Sequence, residues 1–179
     1  MITDVVIIVV SLLLSAFFSG MEIAYVSANK IHIEIEKKQE GFLSKVLSRL
    51  TAKPSKFIAT MLIGNNIALV IYGFFMGDLL MGWFQSMTST SSGLVYYLIT
   101  DLNLLSQTII SAILILITAE FLPKVFFQIY ANSFLKILAI PAYLFYLLFT
   151  FITDLVLWIS DFVLKKFFKT EGDQVQLAF

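Results

Sequence analysis

Glu120 is the side chain whose position in this sequence most clearly indicates cation binding. It is the only acid in an apolar stretch from Leu102 to Tyr130. An ionisable group inside a membrane segment is costly, so it usually marks the path of an ion or a substrate. Pro123 lacks the N–H that would otherwise bond the Ala119 carbonyl, so a second oxygen is freed beside the carboxylate. The alternative interpretation is an i, i+4 ion pair between Glu120 and Lys124.

A polar stripe along the first apolar segment adds further oxygen atoms. Its members recur at helical spacing, so in a helix they lie on one face within about 80° of arc. Single serines in membrane helices commonly bond their own backbone or aid helix packing. Four aligned polar residues that end in a carboxylate are harder to explain in that way. The stripe consists of Ser11, Ser15, Ser19 and Glu22.

Two adjacent amides interrupt the second apolar segment. Asn65 and Asn66 follow Gly64, and amides in hydrocarbon need hydrogen-bond partners. We expect the glycine to let the helix open so that its carbonyl faces an ion; hydrogen bonds between helices are the alternative role for the asparagines. Ser111 and Thr118 share a face of the third segment and extend the polar path. Hydroxyl, amide and carboxylate oxygens from three segments predict a site for a hard cation.

The composition places the chain among membrane proteins. It is 59% hydrophobic with a mean hydropathy of +0.93, whereas soluble domains are about 45–50% apolar. The absence of cysteine excludes disulfides and thiolate metal sites. The oxygen donors suit Mg²⁺, Ca²⁺, Mn²⁺ or Na⁺. The sequence has neither a nucleotide-binding loop nor a nucleophile–base pair, so we expect no enzymatic activity and no nucleic-acid partner.

The distribution of basic residues predicts the topology. Seven of the twelve Lys and Arg residues lie at positions 29–56, and none lies between Phe57 and Pro123. The positive-inside rule then places the N-terminus outside and the first connection in the cytoplasm. Because about 20 apolar residues cross a bilayer, we predict one all-α membrane domain over residues 1–179, located in the plasma membrane. Its three transmembrane helices are 1–28, 56–84 and 102–130, joined by a cytoplasmic helix pair at 29–55 and an extracellular loop at 85–101.

The fourth apolar stretch, Ile137–Leu164, admits two interpretations. It is long enough to cross the membrane, but a crossing would carry three C-terminal lysines to the far side, against the charge rule. Its polar residues share one narrow helical face. We therefore predict a juxtamembrane belt helix at 133–169, with Pro141 breaking the chain before its amphipathic part, and a cytoplasmic tail at 170–179. The three lysines are Lys165, Lys166 and Lys169.

Three motifs occur in order along nearly the whole chain: Ser15–Ala24, Lys53-Pro54-Ser55 leading to Ile63–Asn66, and Glu120–Lys124. Together they resemble the DUF21 transmembrane domain of the CNNM/CorC magnesium transporter family. The resemblance implies three membrane helices, a cytoplasmic helix pair, a belt helix and a homodimer. It also implies Na⁺-coupled Mg²⁺ export through a site between the helices. The ligands that it implies are Ser15, Ser19, the Gly64–Asn65 turn and Glu120.

The same resemblance implies partners beyond this chain. Family members carry cytoplasmic CBS domains, so we expect the chain to represent the membrane domain alone, surrounded by lipid and paired with a second copy. Gly73 and Gly77 form a GxxxG motif that is typical of close helix packing or a dimer interface. A second interpretation is a dimeric membrane scaffold that anchors regulatory domains without ion flux. A third retains transport but makes Na⁺, Mn²⁺ or Co²⁺ the substrate.

Overall fold

Three long apolar elements dominate the fold. The computed structural model describes residues 2–88 and 93–168, and within these ranges the chain is helical and contains no β-strand. The elements are α1 (Ile2–Ser27), α4 (Pro54–Met87) and a third span. The third span consists of α6 (Asn103–Ile115), a π-helical segment (Leu116–Phe121) and α7 (Leu122–Ile129). With 26, 34 and 27 residues, all three are long and apolar enough to cross a membrane, and the bent pair at Ala131–Leu148 would make a fourth candidate if it counts as one span.

Two short helices connect α1 to α4. They are α2 (Lys30–Lys37) and α3 (Phe42–Thr51), and Gly41 separates them with φ of 148°. Glycine adopts this backbone conformation without the steric cost that a side chain would impose. Asn29 caps α2, because its side-chain oxygen accepts from the backbone N–H groups of Ile31 and His32. The helix pair is therefore present, whereas its cytoplasmic location stays a prediction.

The connection after α4 differs from the predicted loop at 85–101. Helix α4 continues to Met87, and α5 (Leu94–Thr100) occupies most of the remainder. The sequence of α5 is apolar and contains two tyrosines, a composition typical of chain at a membrane–water interface. Residues 89–92, at the centre of the predicted loop, lie outside the described residues.

The region predicted as one belt helix is divided into three helices. These are α8 (Ala131–Ile137), α9 (Ala139–Leu148) and α10 (Thr150–Phe168), and α8 meets α9 at 62°. Pro141 does not interrupt the chain where it stands, because it occupies the first turn of α9. It cannot donate to the carbonyl four residues earlier, that of Ile137, and α8 ends there. A position of this region at the interface stays a prediction; Lys169 and the tail at 170–179 lie outside the described residues.

Helix α1 is the central element of the bundle. It packs along α4 on one side and against the π-helical segment and α7 on another. Two glycines allow this close approach: a Cβ on Gly64 would lie 2.6 Å from the Phe18 ring, and one on Gly20 would lie 2.6 Å from the Phe127 ring. Around Phe18 and Gly20, α1 is therefore in close contact with α4 on one side and with α7 on the other.

Candidate cation-binding site

A buried hydrogen bond joins the polar groups of the first two spans. The Ser15 hydroxyl donates to Oδ1 of Asn65 over 2.6 Å, and both side chains are buried between α1 and α4. A hydroxyl that donates its proton keeps its oxygen lone pairs, and the amide oxygen keeps one of its two. Both oxygens therefore retain the capacity to coordinate a cation while they remain bonded to each other.

One turn further along α1, Ser19 presents a polar atom without a partner. Its side chain is 1% exposed, and its Oγ atom makes no hydrogen bond within the described part of the chain. A buried polar group without a partner costs free energy, so such groups in folded proteins call for an explanation. An ion that binds beside Ser15 and Ser19 would supply one.

Replacing Ser19 with alanine is expected to stabilise the ion-free protein. The substitution removes the unpaired hydroxyl and its desolvation penalty of about 1–3 kcal/mol. Thermal unfolding in detergent, with divalent ions chelated, should show a higher midpoint for Ser19→Ala than for the wild type. The matched variant Ser15→Ala removes a bonded hydroxyl and should lower the midpoint. A lower midpoint for Ser19→Ala would show that the Ser19 hydroxyl has a partner in the folded protein.

Gly64 does not open α4 as the sequence suggested. The helix continues without a break from Pro54 to Met87, so the expected turn at Gly64 and Asn65 is absent. The glycine instead provides room for the Phe18 ring. This contact brings the backbones of α1 and α4 together next to the Ser15–Asn65 bond. Gly64 thus contributes to the site by close packing.

The two asparagines have different environments. Asn65 is 7% exposed and faces α1, whereas Asn66 is exposed on the surface of α4. Successive residues of a helix point about 100° apart, and of the two amides it is Asn65 that reaches the Ser15 hydroxyl of α1. The structure therefore separates Asn66 from the candidate ligands that the sequence grouped with it.

Glu120 lies in the π-helical segment. Leu122 N–H bonds the Ile117 carbonyl five residues earlier, an irregular pattern that often occurs at functional sites. Pro123 follows at the start of α7, where its missing N–H is tolerated. The Glu120 Oε2 atom pairs with Nζ of Lys124 over 2.7 Å, and both side chains are partly buried. The i, i+4 ion pair considered from the sequence is therefore present.

Glu22 belongs to the same charged cluster. It is partly buried on α1, one turn beyond Ser19, and it interacts electrostatically with both Lys124 and Glu120. The end of the polar stripe on α1 thus faces the charged residues of the third span. Two carboxyl groups and one ammonium group therefore lie within electrostatic range of one another.

The other polar residues of the predicted path differ in whether they face the buried Ser15 and Asn65 side chains. Thr118 is exposed, and its hydroxyl donates to its own helix at the Leu114 carbonyl over 2.6 Å. Ser11 is buried on the stripe of α1, and the Ser111 carbonyl accepts a 3.3 Å hydrogen bond from the Tyr72 hydroxyl. Thr118 therefore does not extend a polar path towards Ser15, whereas Ser11 continues the buried stripe.

The GxxxG motif makes no close helix contact within the described residues. No atom lies within 4 Å of a Cβ built on Gly73 or Gly77. Both glycines line a groove between α4 and α6, together with Gln107, Thr108 and Ser111. Packing of a second copy at this motif stays a prediction.

The candidate ligands are mostly neutral hydroxyl and amide oxygens, with few carboxylates among them. Within the described ranges, no group of three or more His, Cys, Asp or Glu side chains is placed to hold a metal ion. A cation at the α1–α4 interface would therefore be held mainly by hydroxyl and amide oxygens, with the carboxylates of Glu120 and Glu22 close to α1. Hard ions such as Mg²⁺ or Na⁺ prefer oxygen ligands of this kind.

Sequence reasoning did not anticipate a polar contact between α4 and α10. Nζ of Lys56 pairs with Oδ1 of Asp154 over 2.6 Å, and the buried hydroxyls of Thr60 and Thr153 lie 3.2 Å apart. The only signal in the sequence is that Asp154 lies on the polar face of its helix. The contact fixes α10 against the first turns of α4, the span that carries Asn65.

Comparison with known proteins identifies a family for nearly the whole chain. Residues 6–177 match the family described as the cyclin M transmembrane N-terminal domain (CNNM). The chain is also 27% identical over 120 residues to the UPF0053 inner membrane protein YfjD of Escherichia coli strain K12. That alignment covers 67% of this chain but spans only 24% of the length of the relative.

Proposed function

The chain belongs to the cyclin M transmembrane family, and on that basis we propose that it is the membrane domain of a Mg²⁺ transporter. The ion would bind between α1, α4 and the π-helical segment, at Ser15, Ser19, Asn65 and Glu120. Glu22 would support the site from α1. The family is one of membrane transporters and scaffolds, and a transport function without enzymatic activity is part of the proposal.

The observation that carries the proposal is the pair of serines on the buried face of α1. Ser15 is bonded across the helix interface to Asn65, while Ser19 is buried one turn away with an unused hydroxyl. Helix association alone would favour an apolar residue at position 19, because an unpaired hydroxyl in an apolar interface is destabilising. A site that binds a cation needs such an oxygen.

Lys124 gives the proposed site a means of exchanging cations. In the structure its ammonium group neutralises Glu120 over 2.7 Å. A Mg²⁺ ion that binds to the Glu120 carboxylate would displace the ammonium group, and the return of Lys124 would favour release of the ion. Transport requires a site that binds an ion and also lets it leave. A site with few carboxylates and an internal competing cation meets this requirement.

Coupling to Na⁺ and the direction of transport are further parts of the proposal. Na⁺ accepts the same oxygen ligands as Mg²⁺, so competition at one site would let a Na⁺ gradient drive Mg²⁺ export. We place the protein in the plasma membrane with its C-terminus in the cytoplasm. The excess of basic residues at 29–56 supports this orientation, and the printed name of the relative YfjD describes that protein as an inner membrane protein.

The scaffold function has a specific observation in its favour. Ser15 and Asn65 bond each other, and Glu120 pairs with Lys124, so each of these polar groups has a partner within the protein. Such contacts also hold helices together without any transport. In that case the domain would anchor cytoplasmic regulatory domains, such as CBS domains, in a homodimer. The unpaired hydroxyl of Ser19 favours the transport function over this alternative.

Replacing Glu120 with alanine tests the transport function. The carboxylate carries a formal charge among mostly neutral ligands, and ligand charge strongly affects the affinity for a divalent ion. We therefore expect Glu120→Ala to lower Mg²⁺ flux into proteoliposomes by about tenfold or more, as measured with a fluorescent Mg²⁺ indicator inside the vesicles.

The matched control is Lys124→Met, which breaks the same ion pair but keeps the carboxylate. It should bind Mg²⁺ and keep more flux than Glu120→Ala, because Glu120 still binds the ion and only its release loses the help of Lys124. Equal loss in both variants would mean that the ion pair itself, as a structural contact, is what the protein needs. Undiminished flux in Glu120→Ala would remove Glu120 from the site.

A further inference from the structure

The connection between α1 and α4 exposes an unusual apolar surface. On α2, Ile33 packs inward against the buried core, while Ile31 and Ile35 point away and are 72% and 55% exposed. Residues four apart lie on one face of a helix, so these two isoleucines form a continuous outer stripe. Phe42, the first residue of α3, is 66% exposed. A short helix that is apolar on two faces is expected to have both faces covered.

Exposed basic side chains lie close in sequence to this apolar surface. Lys38, Lys45 and Lys53 are exposed and make no ion pair with any residue in the described ranges. Over residues 29–56 there are seven basic and three acidic residues, a formal excess of four positive charges. Two of the three acids are already engaged, because Glu34 pairs with Lys37 and Glu36 pairs with Lys136.

The position of α2 along the bundle is fixed at the ends of two spans. Only Ala28 and Asn29 separate α1 from α2. The backbone N–H of Asn29 donates to Oδ1 of Asn132 over 2.9 Å, and Asn132 lies in the first turn of α8, immediately after the third span ends. The Glu36–Lys136 ion pair, 2.7 Å long, fastens the other end of α2 to α8. Helix α2 is therefore held at the depth where membrane spans meet the headgroups.

We propose that the outer face of α2 and the start of α3 is a contact surface for anionic phospholipids. Ile31, Ile35 and Phe42 would enter the boundary between headgroups and acyl chains, and the lysines would contact the phosphates. A helix with apolar residues on one face and Lys or Arg beside them binds membranes in this manner. Clusters of basic residues next to a span attract anionic lipids. The excess of positive charge favours lipid over a second copy of the same basic surface.

The chain has no cysteine, so single-cysteine variants provide a direct test. An NBD fluorophore is attached to the cysteine of the full-chain variants Ile31→Cys and Ile35→Cys. Each labelled protein is reconstituted in phosphatidylcholine vesicles with or without phosphatidylglycerol. His32→Cys is the matched control, because position 32 is exposed but lies about 100° around the helix from position 31. Quenching by a doxyl-labelled lipid reports contact with acyl chains, and quenching by iodide reports contact with water.

The expected result is a blue-shifted emission at positions 31 and 35 that the doxyl lipid quenches and iodide does not. This lipid quenching should increase with phosphatidylglycerol, and Lys38→Gln combined with Lys45→Gln should remove the increase. Position 32 should remain accessible to iodide. Equal iodide quenching at all three positions would overturn the proposal, since the face would then lie in water.

Two further outcomes would also contradict the proposal. Labels at positions 31 and 35 that neither quencher reaches would indicate a protein, such as a second copy, on this face. Lipid quenching that is the same with and without phosphatidylglycerol would show that the lysines do not select anionic lipid.

Discussion

Asn65→Ala is expected to weaken Mg²⁺ binding by about tenfold or more, because it removes one ligand and leaves the Ser15 hydroxyl without its partner. The Ser15–Asn65 bond joins the side chains of α1 and α4 directly. Hydrogen bonds between membrane helices contribute about 0.6–2 kcal/mol, so the protein should still fold. Mg²⁺ titration of the purified variant by calorimetry measures the loss.

Asn66→Ala is the matched control, since it makes the same chemical change at the next residue. Asn66 is exposed and faces away from α1, so this variant should bind Mg²⁺ as the wild type does. Equal weakening in the two variants would mean that the effect comes from general disturbance of α4. Wild-type binding by Asn65→Ala would exclude the amide as a ligand.

Gly64→Ala is expected to destabilise the bundle strongly. The added methyl group would lie 2.6 Å from the Phe18 ring, which is itself buried among other aromatic side chains. Overpacking of this kind costs about 1–3 kcal/mol, and more where the neighbours cannot move. We expect a lower thermal unfolding midpoint in detergent. Mg²⁺ binding should weaken as well, because separation of α1 from α4 pulls Ser15 away from Asn65.

Gly73→Ala provides the comparison on the same helix. No atom lies within 4 Å of the position of its added Cβ, and alanine is a better helix former than glycine. The purified monomer should therefore be as stable as the wild type or slightly more stable. If Gly64→Ala unfolded at the same temperature as Gly73→Ala, the conclusion that Phe18 leaves no room for a methyl group at position 64 would be contradicted.

The number and limits of the spans follow from the sequence because apolar length decides them. The predicted spans 1–28, 56–84 and 102–130 agree with the elements at Ile2–Ser27, Pro54–Met87 and Asn103–Ile129 within a few residues. The division of the C-terminal region into three helices was not predicted. The residues around the bend, 137–149, are apolar and give no periodic signal from which to locate it. The proline that ends α8 lies beyond that helix, in α9.

The candidate site could be predicted in outline, but its contacts could not. The spacing of the serines on α1 indicated one polar face, and the structure places that face against α4 with Ser15 on Asn65. The different environments of Asn65 and Asn66 could in principle have been predicted, because successive residues of a helix point about 100° apart. The π-helical segment could not be predicted from the sequence. Pro123 shows that one backbone hydrogen bond is missing, but it does not show that the neighbouring residues bond five positions apart instead of four.

The roles of the glycines depend on distances that no sequence pattern contains. Gly64 was expected to open the helix, yet it permits close packing against an aromatic ring, whereas the GxxxG glycines have open space beside them. The residue on the neighbouring helix decides whether a glycine allows close packing or lies beside open space. That residue is set by the relative rotation of two helices, which single-helix periodicity does not determine.

The most direct test of a cation site between the helices is calorimetric titration of Mg²⁺ into the purified wild-type chain, with Na⁺ as competitor. We predict saturable binding that Na⁺ weakens and that Glu120→Ala abolishes. Absence of saturable binding in the wild type, or identical binding in Glu120→Ala, would contradict the proposed site.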